Sequence, residues 1–113
     1  MSERRSEPRY MCSELVKIVT PGGVDSPPAE AVANLEDISP SGACVQLEEA
    51  IRVGTDIEIV CSACSLKGKV RYCRFVEMGY DVGVEFEPQA AWDRQQFQPD
   101  HLLDIPVKRV KEP

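Results

Sequence analysis

The chain has 113 residues, 42% of them hydrophobic and 28% charged, with a net charge of −6. That length fits a single domain with one core, and the composition is that of a folded protein rather than a disordered tail. Net acidity argues against nonspecific binding to nucleic acid or to an anionic membrane, although not against a small anionic ligand.

The chain begins MSERRSEPRY, a charged stretch without the apolar core of a secretory signal. No apolar run approaches the roughly 20 residues that span a bilayer. The expected location is the cytoplasm, without membrane insertion, unless the chain was cut from a longer one. Arg4, Arg5 and Arg9 place three of the 13 Lys and Arg residues within a few positions, and such a cluster can bind a phosphate. Pro8 restricts the backbone of Glu7 and favours an extended arm, which can wrap around a ligand. Residues 1–10 are therefore read as an arginine-rich, ligand-binding arm.

Residues 15–20 (LVKIVT) are rich in β-branched side chains and end at Pro21-Gly22-Gly23, a turn signal. After a loop, Ala31, Ala33 and Leu35 alternate with Val32, Asn34 and Glu36 in a strand ending at Asp37. Beyond the Pro40-Ser41-Gly42 turn, Ala43, Val45 and Leu47 share one face. Gly54 precedes a strand whose Ile57, Ile59 and Cys61 lie opposite Glu58 and Val60. Residues 66–75 read as a long strand with Lys67, Lys69 and Arg71 wet and Leu66, Val70 and Tyr72 inside. Gly79 leads into YDVGVEF, the clearest alternation in the chain. Six strands without crossover helices predict an antiparallel sandwich or small barrel over residues 11–88.

The remaining segment, 89–113, changes character. Ala90, Ala91, Trp92 and Phe97 among polar helix formers predict a C-terminal helix over residues 89–98, ending before Pro99, with Trp92 packed on the barrel. Residues 100–105 are expected to add a helical turn.

Nothing in the sequence suggests catalysis. The single histidine, His101, lies in the tail, and no serine or cysteine has a base-supplying motif around it. Phosphate-binding glycine motifs are absent. Of the five cysteines, Cys61 and Cys64 have CxxC spacing, but a zinc site would need two more ligands. In a reducing compartment Cys12, Cys44, Cys61, Cys64 and Cys73 are read as small apolar residues, with no metal expected.

Two short patterns remain. Arg5 and Arg9 are spaced as RxxxR before the first strand, and Asp37, Ser39 and Gly42 as DxSxxG between the second and third. With GYDVGVEF near the end, the chain resembles the PilZ domain family, bacterial receptors for cyclic di-GMP, over residues 4–86. The chemistry agrees. Arginine's planar fork grips a phosphate or a guanine edge in bidentate fashion. Asp37 is an acceptor for guanine N–H groups, Ser39 a hydroxyl donor to phosphate, and Gly42 permits a turn that a Cβ would penalise.

The resemblance implies an all-β, six-stranded antiparallel barrel of PilZ type and ligand contacts at Arg5, Arg9, Asp37, Ser39 and Gly42. Arg4, directly before the first motif, implies an intercalated ligand dimer, hence two ligands per chain. The expected function is noncatalytic sensing of cyclic di-GMP with no further cofactor. Ligand phosphates would relieve the repulsion among the arginines and pin the arm against the Asp37–Gly42 loop, changing the surface shown to an effector protein. With no second domain, output must pass through such a partner, or the chain is a fragment. Two alternatives stand beside this reading: a PilZ-like interaction module with little or no nucleotide binding, and a metal-binding protein using Cys61, Cys64 and Cys73.

Overall fold

Alternation with a period of two makes every strand of this chain two-faced, and the six strands bury their apolar faces by closing on one another. The computed structural model describes residues 8–22, 27–88, 91–93 and 96–102. The strands are β1 (Tyr10–Thr20), β2 (Ala29–Ser39), β3 (Gly42–Leu47), β4 (Asp56–Val60), β5 (Ser65–Val76) and β6 (Gly79–Phe86). They form a closed barrel in the order β1-β2-β3-β6-β5-β4, with β4 pairing back to β1 and every pairing antiparallel. Closure leaves few unpaired strand edges.

The interior is filled as the alternation predicts. Leu35, Val45, Ile59, Leu66, Val70 and Val82 are fully buried, and Ile57, Val84 and Phe86 nearly so. On β1 the inward positions are Cys12, Glu14, Val16 and Ile18, which leaves Leu15 and Lys17 outside. Glu14 is an acid among apolar neighbours, and its carboxylate is partnered: Oε1 accepts the Asp100 N–H at 2.8 Å. The Ser13 N–H donates in turn to the Asp100 carbonyl at 3.0 Å, which ties the tail to β1.

Tyr72 departs from expectation. It was expected inside the barrel and is instead 43% exposed. The ladder between β5 and β6 slips between Val70 and Tyr72, so Arg71 is an extra residue and the faces exchange beyond it. A similar slip on β2 between Leu35 and Asp37 makes Glu36 the extra residue. Past it Ile38 points inward and is fully buried.

The C-terminal helix over 89–98 is not supported. Residues 91–93 and 96–98 are in no helix, and 89, 90, 94 and 95 lie outside the described residues. The helical turn over 100–105 is not found at 100–102, and 103–105 lie outside. The packing expected of Trp92 is present: it is 3% exposed, and its Nε1–H donates to the Phe97 carbonyl at 2.9 Å. That bond holds Phe97 against the buried indole. No helix of the described residues is long and apolar enough to cross a membrane.

Candidate functional site

The chain enters the barrel at Arg9 and Tyr10, beside the turn that joins β2 to β3. Tyr10 pairs with Ile38 and Met11 with Asp37, so β1 lays the end of the arm across the second motif. Arg9 Nη1 donates to Asp37 Oδ1 at 2.6 Å, and the two side chains are 37% and 26% exposed. One residue of each motif thus meets in a half-exposed ion pair. Arg4 and Arg5 lie outside the described residues.

The turn itself is a two-residue hairpin loop, Pro40-Ser41, closed by the pairing of Ser39 with Gly42. The Ser39 hydroxyl, in a residue only 3% exposed, donates to the Gly42 carbonyl at 3.3 Å. Its observed contact is with the turn's own backbone. Gly42 was expected to supply a backbone conformation closed to other residues. Its φ is not positive, the only such glycine among the described residues being Gly54. The requirement at Gly42 is space: a Cβ there would lie 2.5 Å from the Val84 carbonyl oxygen on β6. Since that obstacle is backbone in a paired strand, it cannot turn aside. Gly42→Ala should therefore destabilise the protein by about 1–3 kcal/mol, the usual cost of overpacking. Urea unfolding would measure it, and a loss below about 0.5 kcal/mol would show that the strands can part there.

Trp92 braces both motifs, a role that sequence reasoning did not assign it. Its backbone N–H donates to the Pro40 carbonyl at 3.0 Å, and its ring meets Tyr10 edge-on at 6.1 Å. The tail thereby holds the turn and the end of the arm in one arrangement.

Beyond Asp37 the outer face continues through neighbours in register: Asp37 beside Cys44, Cys44 beside Gly83, Gly83 beside Tyr72. The Tyr72 ring occupies the space over Gly83, where a Cβ would come within 2.1 Å of it. Its hydroxyl donates to Cys44 Sγ at 3.7 Å, and the Arg74 guanidinium lies 5.4 Å from the ring centre. Glu36, outward by alternation after Leu35, reaches the same face, and the slip in β2 keeps Asp37 on it too. Its Oε1 accepts from Cys44 Sγ at 3.9 Å.

Glu36 also approaches Asp81. Burial, and then the Asp81 charge and hydrogen bond, push the Glu36 carboxyl above its ordinary range. Among the described residues Asp81 Oδ1 is buried without a hydrogen-bond partner. Glu36, Cys44 and Asp81 also bring three potential metal donors within 4.8 Å of one another. Burial pushes the Cys44 thiol up to about 12.

Among the described residues that is the one such group, and Cys61, Cys64 and Cys73 do not form another. The Cys61 N–H donates to the Cys64 carbonyl at 2.8 Å, which closes the turn from β4 to β5. Burial pushes the Cys61 thiol up to about 12 and raises that of Cys64. Both pack against the core, as does Cys73.

A family model described as PilZ domain matches residues 3–98. No curated protein matches the chain.

Proposed function

Because the chain belongs to the PilZ domain family, we propose that it is a noncatalytic receptor for cyclic di-GMP that acts on a partner protein. The observation that carries this reading is the Arg9–Asp37 pair, which joins the arm to the turn. Each member has the chemistry for half of a guanine nucleotide. The guanidinium can take a phosphate or the O6 and N7 acceptors of guanine, and the carboxylate can accept from N1–H and N2–H. Binding exchanges the pair for these contacts. A half-exposed ion pair is worth about 0–1 kcal/mol, whereas contacts to a ligand that excludes water are worth more, so the exchange is favourable.

Arg5 and Arg9 are assigned to phosphate and guanine, and Asp37 to a guanine edge. Ser39 and Gly42 shape the turn that presents Asp37, Ser39 through its bond to the Gly42 carbonyl. Glu36, Asp37 and Asp81 make the face acidic, so Arg4 and Arg5 are needed to offset that charge for an anionic ligand. The other reading, an interaction module of this fold that binds no nucleotide, draws support from the same pair. Arg9 and Asp37 already satisfy each other, so this pair does not demand a ligand.

Calorimetric titration of cyclic di-GMP separates the two. The expected result is saturable heat with two ligands per chain, falling toward one in Arg4→Leu. Absence of saturable heat selects the interaction module, and one ligand in the parent chain overturns the role of Arg4. The change of surface is tested separately by amide hydrogen exchange. Ligand should slow exchange over residues 1–10 and 37–42 and leave 66–86 unchanged. If residues 1–10 are already protected without ligand, the surface change on binding is ruled out.

A further inference from the structure

On the outer face of β1 and β2, Leu15 and Val32 are 72% and 67% exposed, and Met78, in the turn between β5 and β6, is 80% exposed. All three line one open groove of about 770 Å³ whose floor includes the buried Leu47. Glu48, Glu49 and Glu77 line the same groove. A fourth acid, Glu30, pairs with Lys17 at 3.5 Å, whereas the other three form no ion pair among the described residues. Large exposed apolar side chains gathered in a groove with charges around them are the usual composition of a docking surface.

We propose that this groove docks a cationic segment of a partner protein, one in which lysine or arginine is interspersed with aliphatic residues. The aliphatic side chains cover Leu15, Val32 and Met78, and the cations meet Glu48, Glu49 and Glu77. Charge selects this occupant. A second copy carries the same net charge of −6 and the same acidic rim, so two such grooves repel. Nucleic acid and anionic lipid are disfavoured for the same reason. The groove draws on β2 and β3, the strands that end at the Asp37–Gly42 turn, so a partner seated there lies on the elements that carry the candidate nucleotide site. The inference goes beyond the nucleotide reading and stands without it, and its test uses no nucleotide.

The probe is a fluorescein-labelled synthetic peptide of alternating valine and lysine, added to the full chain and followed by fluorescence anisotropy. Saturable binding is expected. It should weaken by about tenfold in Leu15→Ser with Val32→Ser, which remove apolar contact area. A similar loss of about tenfold is expected in Glu48→Gln with Glu49→Gln and Glu77→Gln. A peptide of alternating valine and glutamate should not bind. Equal binding of the anionic peptide, or a loss in the charge variant alone, overturns the proposal, since the latter is attraction to an acidic chain without docking. The chain's own end carries Lys108, Arg109 and Lys111 beside Val107 and Val110. If reversing those three charges to glutamate raises peptide affinity about tenfold, the groove's occupant is that segment and the partner is excluded.

Discussion

Arg9→Ala should weaken cyclic di-GMP binding by roughly thirtyfold or more while leaving the barrel intact. Removing one partner of a desolvated, charge-assisted contact costs about 2–5 kcal/mol, and every 1.4 kcal/mol is about a factor of ten. The lower end applies because the Arg9 side chain is 37% exposed, and water screens part of the interaction. Stability should barely change, since the residue's observed partner in the free protein is a half-exposed carboxylate. Asp37→Ala should show the same separation of binding from stability. Arg71 provides the control: it pairs with Glu85 on the surface, and Arg71→Ala should leave affinity unaltered. Parallel titrations with thermal melts test all three. Unchanged affinity in both Arg9→Ala and Asp37→Ala would sink the site assignment, while a large fall in melting temperature would show that the pair is structural.

Leu35→Ala should produce the opposite pattern. Leu35 has no exposed surface, and it pairs with Val45 just before the slip in β2 that leaves Asp37 on the outer face. Truncation removes buried methyl groups and leaves a cavity that closed barrel strands cannot collapse, at a cost of about 2–5 kcal/mol. For a domain of this size each kcal/mol moves the melting temperature by roughly 4–8 °C. Val32→Ala, three positions earlier on the same strand but 67% exposed, should stay within about 0.5 kcal/mol. Chemical denaturation of the two variants makes the comparison. A loss below about 1 kcal/mol in Leu35→Ala would mean that the barrel repacks around the gap.

That contrast also marks how far local reading reaches. The alternation of Leu35 with Asn34, of Val45 with Cys44 and of Val84 with Glu85 names the core side of each strand, because a strand's faces follow from a period of two within one segment. The two motifs are noticeable for a related reason. Arginine and aspartate suit the phosphates and edges of a guanine nucleotide, so the residue types suggest that chemistry before their positions are known.

Pairing could not be read in the same way. That β3 lies beside β6, that Glu36 and Arg71 are extra residues, and that Tyr72 therefore faces outward are properties of two strands in register. No single segment encodes them. Gly42 shows the distinction most clearly. As sequence it is a glycine after Pro40-Ser41 and suggests a turn needing special backbone angles. In the fold its angles are ordinary, and what excludes a side chain is the Val84 carbonyl on a distant strand. The indole of Trp92 against Tyr10 and the Pro40 turn, and the Glu36–Asp81 pair beside Asp37, exist only once remote segments are adjacent. By itself the sequence determined the core side of the strands up to their slips, as at Leu35 and Val70, and the residue types that suggest the proposed chemistry, because those are local and intrinsic. The meeting of Arg9 with Asp37, and the acidic, half-buried ground on which they meet, was decided by tertiary structure, because the pairing of β1 with β2 is what brings the arm to the turn.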